Sequence, residues 1–253
     1  VLFGDVPLLR VLTLAQILDV ANEKTLAFLS AQFLEPGKLG RVVRNQNGNV
    51  VKIVEDADAS IAEKEIREIN SGVMAIPKCS LVNWLDKLKG SNNQGELYLT
   101  DLVEIALSES FNVEAIVCDE PEEVIGINTP WDLAQAERIY QKRKAKELAL
   151  MGVRIADPER LDIRGNIEVG KDCYLDVNVI LEGHVILGDR VHVGAGSIIS
   201  DSILGSGTKV LAHSVIDGSE IARDCSIGPF SRLRPGTILG AGAKIGNFVE
   251  TKK

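Results

Sequence analysis

The 253-residue sequence is poor in cysteine, and its four, Cys79, Cys118, Cys173 and Cys225, are widely scattered. They fall in neither disulfide nor zinc-ligand spacing, which fits a reducing, cytoplasmic compartment. Long apolar runs are missing as well. None reaches the roughly 18 residues of a membrane span, and no signal peptide is visible. An excess of positive charge is also absent: the formal net charge of -8 argues against a nucleic-acid groove. A phosphorylated substrate stays open, because a few local cations can bind one.

The second half is dominated by a repeat. From Ile163 an aliphatic residue recurs every six positions: Ile163, Val169, Leu175, Leu181, Leu187, Val193, Ile199. The register slips by one before Leu204, Val210 and Ile216, and again before Ile221, Ile227, Leu233, Leu239 and Ile245. Four residues after many of these stands a mostly smaller side chain, as at Cys173, Ser197, Thr208, Ser214, Cys225 and Ser231. This hexapeptide period predicts a parallel β-helix of about five coils. The aliphatic residue fills the prism, and the smaller one fits where the chain turns a corner. Cys173 and Cys225 therefore read as packing.

The first half has another grammar. "LAFLSAQF", "GRVVRN", "NVVKIVE", "INSGVMAIP" and "NVEAIVC" read as strands, while "VLTLAQILDVANE", "SLVNWLDKLKG" and "LTDLVEIALSE" have helical spacing, with Thr13 and Ser80 near N-caps. Their alternation predicts an α/β domain with a mostly parallel sheet. "TPWDLAQAERIYQKRKAKELALMG" is a long connecting helix, opened by Thr129-Pro130 and closed by Gly152. Its basic run, Lys142, Arg143, Lys144 and Lys146, reads as a solvated face. The opening "VLFGDVPLL" suggests the end of a buried strand, which would make Asp5 a site residue; Gly4-Asp5-Val6-Pro7 also reads as a plain turn.

These halves and their local strings resemble the bacterial bifunctional N-acetylglucosamine-1-phosphate uridyltransferase/glucosamine-1-phosphate acetyltransferase family. The strings are "FGDVPLL", "GRVVRNQNGNVVKIVEDADA", "EINSGVMAI", "NNQGELYLTDLVEIA", "EVIGINTPWDLAQAERIYQ" and "IGPFSRLRPGTILGAGAKIGNFVETKK". The resemblance implies a partial Rossmann-like α/β nucleotidyltransferase domain over 1–130, a helical linker over 131–152 and a left-handed parallel β-helix of hexapeptide repeats over 153–253. It implies uridyl transfer from UTP to N-acetylglucosamine 1-phosphate in the first domain. Asp5 and Asn128 would ligate Mg2+, and Phe3, Gly4, Gly40, Glu55 and Asn70 would contact the substrate. In the β-helix it implies acetyl transfer from acetyl-CoA to glucosamine 1-phosphate, with Arg234 and Lys252 binding the sugar phosphate. Phe3 and Leu39 stand where the family often has Tyr.

The family's triphosphate loop has no counterpart after Val1, and its catalytic histidine would lie beyond Lys253. The expectation is an internal fragment inactive on its own; His184, His192 and His213 read as surface or satisfied side chains. A different sugar-phosphate nucleotidyltransferase with a structural β-helix, or a non-catalytic interaction subunit, are the competing readings. Outward apolar slots at Val177, Ile180, Ile186, Ile198, Ile203, Leu211, Val215 and Ile238, together with the resemblance, imply a homotrimer at full length, and a weak trimer or aggregation-prone monomer for the fragment.

Overall fold

The computed structural model describes residues 1–90 and 92–252. The chain divides into two compact units, Val1–Ala136 and Glu137–Lys253. In the first, strands β1 (Thr25–Gln32), β2 (Arg41–Arg44), β3 (Val50–Val54), β4 (Glu68–Ala75) and β5 (Asn112–Val117) form one sheet in the order β3-β2-β4-β1-β5. Its helices are α1 (Val11–Val20), α2 (Ile61–Lys64), α3 (Lys78–Leu85) and α4 (Leu102–Ser108); α5 (Pro130–Leu150) begins in this unit and continues into the second. Central β1 is buried on both faces. Leu26 and Phe28 join a core with Trp84, Leu102 and Val103, while Ala27, Leu29 and Ala31 pack with Ile17 and Val124.

The sheet corrects one expectation: only β1 and β5 pair in parallel, and β1–β4, β2–β3 and β2–β4 are antiparallel. For β2–β3 the physical cause is connection length. Parallel pairing needs a crossover of a dozen or more residues, and β2 turns into β3 through a short loop that bonds Asn45 to Asn49 and Gly48. The caps differ as well. The N-cap of α1 is Arg10 and that of α3 is Pro77, neither with a side-chain cap bond. Thr13 lies inside α1, buried, with its hydroxyl donating to Glu123 Oε2 at 2.6 Å. Ser80 lies inside α3. The short helix α2, with a Ser60–Glu63 capping box, had no sequence reading. Val1, Leu2 and Phe3 are about half exposed rather than buried, although Val1 exchanges two hydrogen bonds with Met74 of β4.

The second unit stacks short strands into three walls. One wall is built from Arg154–Ile155, Tyr174–Leu175, His192–Val193, Lys209–Val210, Ser226–Ile227 and Lys244–Ile245, paired in parallel throughout. The other two alternate along the same coils, as in Ile180–Ile198–Val215 and Ile186–Ile203. The stack is a parallel β-helix of about 5 turns, and the left-handed coil expected of hexapeptide repeats fits it. The aliphatic slots from Leu175 to Leu233 are buried, with Val169, Leu239 and Ile245 partly covered and packed on the same core. The first coil begins one wall earlier than the repeat suggested, with Ile155.

The corner slots show why small polar residues recur there. Ser197, Thr208, Cys225 and Ser231 are all essentially buried, and each donates to a carbonyl on the following coil: Leu211, Ala222, Gly240 and Gly246. A buried carbonyl without a partner is costly, so a short donor suits a corner. Ala145 and Leu148 of α5 pack into this core, and the Gln141 side chain bonds both the N–H and the carbonyl of Ile163.

Candidate functional site

A pocket of about 610 Å3 in the first unit gathers residues that lie far apart in sequence. Phe3 and Asp5 come from the opening turn, Gly40 from the approach to β2 and Glu55 from the exit of β3. Asn70 comes from β4, and Asn128 from the residues before α5. Of the expected sugar-nucleotide residues only Gly4 does not line it. A larger groove of about 990 Å3, between α1, β4 and α3, is mainly apolar and holds none of them.

Local bonds set the donors and acceptors of the pocket. The Asn70 N–H donates to the Gly40 carbonyl at 2.9 Å, which joins β4 to the loop before β2. Asn70 Oδ1 accepts from the Gly72 N–H at 3.1 Å, so the free part of its amide is the Nδ2 donor. Glu55 Oε1 accepts from the Thr100 hydroxyl at 3.0 Å and keeps acceptor capacity for a ligand. The room for this carboxylate comes from Gly40, where a Cβ would stand 3.1 Å from Glu55 Oε2. Gly72, with φ at 78°, serves Phe3 in the same way: a Cβ there would overlap the ring.

Asp5 and Asn128 are brought together by backbone. The Ile127 N–H donates to the Asp5 carbonyl at 2.8 Å, fixing the opening turn against the segment that ends at Asn128. Behind Asn128, Asp132 Oδ2 accepts from the N–H groups of Asn128 (3.0 Å) and Thr129 (2.8 Å), and the Asp132 N–H returns a bond to Thr129 Oγ1. These bonds hold the Asp132 carboxyl below its ordinary pKa and form a capping arrangement at the start of α5. No group of three or more His, Cys, Asp or Glu among the described residues could hold a metal by itself. One carboxylate and one amide facing a pocket do suit Mg2+, which keeps few protein ligands and takes the rest from phosphates and water.

In the second unit, the bridge pairing Arg232 with Glu250 puts Arg234 and Lys252 at matching places on neighbouring coils. The Arg234 guanidinium donates to Glu250 Oε1 at 2.7 and 2.8 Å, and Arg234, ahead of Arg232 and Lys252, holds the Glu250 carboxyl below its ordinary pKa. Both Arg234 and Lys252 are exposed. Sequence reading missed Lys38, Tyr98 and Thr100, which also line the first pocket. Tyr98 and Thr100 sat inside the string "NNQGELYLTDLVEIA". Lys38, two positions before Gly40, had only that adjacency as a signal.

The profile of the GMPPB C-terminal domain matches residues 163–252. The whole chain matches the "Bifunctional protein GlmU" of Methylococcus capsulatus at 45% identity over 254 residues, 55% of that protein. It matches the protein of the same description from Alkalilimnicola ehrlichii at 47% over 252 residues, 54% of that protein, again with all of this chain covered. The chain thus spans about half the length of the curated relatives it matches. A solved mutant of AntD, an N-acyltransferase from Bacillus cereus in complex with dTDP and coenzyme A, aligns at 15% identity and a TM-score of 0.38, covering 45% of this chain and 81% of that one.

Proposed function

We propose that this chain, a relative of bifunctional GlmU proteins along its whole length, carries parts of two sites of UDP-N-acetylglucosamine synthesis. The observation that carries the reading is the convergence of Phe3, Asp5, Gly40, Glu55, Asn70 and Asn128 on one pocket. In it, Asn70 donates to an oxygen of N-acetylglucosamine 1-phosphate, Glu55 accepts from sugar hydroxyls, and Gly40 lets the backbone approach the ring. Asp5 and Asn128 would hold Mg2+, which offsets phosphate charge while uridyl transfer from UTP releases pyrophosphate. In the β-helix, Arg234 and Lys252 contact the phosphate of glucosamine 1-phosphate, whose amine takes the acetyl group of acetyl-CoA.

The same reading includes a cytoplasmic location and a homotrimer. Among the described residues no helix is long and apolar enough to cross a membrane, and all four cysteines are free. Support for the trimer comes from the outward column Ile180–Ile198–Val215, partly exposed in one chain, and from Ile203 and Ile238 on the next wall.

Calorimetric titration of the chain with N-acetylglucosamine 1-phosphate and Mg2+ tests the sugar pocket. Saturable binding is expected, weakened about tenfold or more by Glu55→Ala, in line with the roughly 1.5–3 kcal/mol of a charged hydrogen bond. No binding, or equal binding by the variant, would count against the reading.

A further inference from the structure

Lys38 is the only cation among the described residues that line the 610 Å3 pocket, where the charged side chains beside it are Asp5, Glu35 and Glu55. Such a pocket repels an anionic ligand unless something offsets its carboxylates. Lys38 is exposed and makes no ion pair among the described residues, so its ammonium is not already committed.

Its backbone, unlike its side chain, is held firmly. Lys38 lies in the turn that the Leu39 N–H closes on the Pro36 carbonyl at 3.2 Å. Arg41, only 3% exposed, reaches back into that turn and donates to the carbonyls of Gly37 and Leu39, the two neighbours of Lys38. The same guanidinium lies 3.4 Å from Asp56 Oδ1, and Asp56 follows Glu55 of the pocket. A buried arginine is expensive unless its donors are used; both terminal nitrogens of Arg41 are paired, and its Nε is not. Here it fastens the Lys38 turn to the end of β3 and so to the pocket wall.

We infer that Lys38 is a binding residue of the pocket, contacting the phosphoryl group of a sugar 1-phosphate. The inference rests on the sugar-phosphate reading above and adds a residue to it. The ammonium offsets the negative wall and donates to a phosphate oxygen, a contact that a mobile stem on a fixed turn can adjust to different poses.

Ligand-observed NMR on the full chain with Mg2+ tests this, using N-acetylglucosamine 1-phosphate, N-acetylglucosamine and UMP as separate probes. Lys38→Ala should weaken the sugar phosphate about tenfold, leave the neutral sugar unchanged and leave the melting temperature unchanged. Lys38→Arg should restore most of the loss. Equal sugar-phosphate binding by Lys38→Ala and the parent overturns the role of Lys38 while leaving the pocket reading intact. A loss confined to UMP overturns the sugar phosphate as the source of the phosphoryl group. Failure of the parent to bind either sugar overturns the pocket reading, and the role of Lys38 with it.

Discussion

Glu123 shows how much one side chain can decide. It is completely buried, accepts from the backbone N–H of Arg10 at 3.1 Å, from the Thr13 hydroxyl and from the Arg10 guanidinium. These bonds tie the stretch that begins at Asp5 to the stretch that ends at Asn128, at the opposite end from the Ile127–Asp5 backbone bond. Burial pushes its pKa up, but the bonds from Thr13 and Arg10 outweigh burial and the net shift is downward from 4.5. A depressed carboxyl stabilises the fold above its unfolded pKa, and that contribution is lost as pH falls through the folded value. Glu123→Gln should therefore cost about 1–3 kcal/mol at neutral pH, with Arg10 hydrated through its exposed side. It should also flatten the loss of stability between about pH 4.5 and the depressed folded pKa. Urea unfolding across that range measures both; a parallel acid limb in parent and variant would contradict the assignment.

Among elements, the N-terminus of α5 bears most directly on the site. Thr129 and Asp132 cap each other, and the Asp132 carboxylate also holds the Asn128 N–H. Thr129→Ala should remove a capping bond worth about 1 kcal/mol and loosen Asn128, which lines the pocket. Denaturant unfolding reads the first effect, and Mg2+-dependent binding of N-acetylglucosamine 1-phosphate reads the second. A stable variant with unchanged binding would show that α5 does not steady Asn128. The α2 box behaves alike: Lys52, then Ser60, hold the Glu63 carboxyl down to about 2.

At the scale of the whole molecule, the β-helix is a stack in which each coil pairs with its neighbours. Its interior is finished within one chain, because the slots of the middle coils are fully buried. Its outer walls are not: Ile180, Ile198 and Val215 form a partly exposed column. If the column meets sister subunits, sedimentation at micromolar concentration should give a trimer. Ile198→Asp should then shift it to smaller species with no change in circular dichroism. A parent that sediments as a monomer at every concentration would leave the column without that role.

Much of this was legible because burial follows local period. The six-residue repeat marked both the aliphatic interior and the small corner slots, and the five strands of the first unit fell where apolar stretches indicated. The motif strings also named most of the residues that meet in the pocket. What the sequence could not supply was relation between distant segments. Strand direction followed from which strands became partners, so a sheet expected to be mostly parallel became mostly antiparallel. Thr13 became a partner of Glu123 rather than a cap, because α1 begins two residues before it and a buried carboxylate over a hundred residues away lies within bonding distance. The place of Lys38 in the pocket depends likewise on a buried arginine folding back over its turn. Period and composition fix which side of a segment is dry; which segments then face each other across a pocket is settled only by packing.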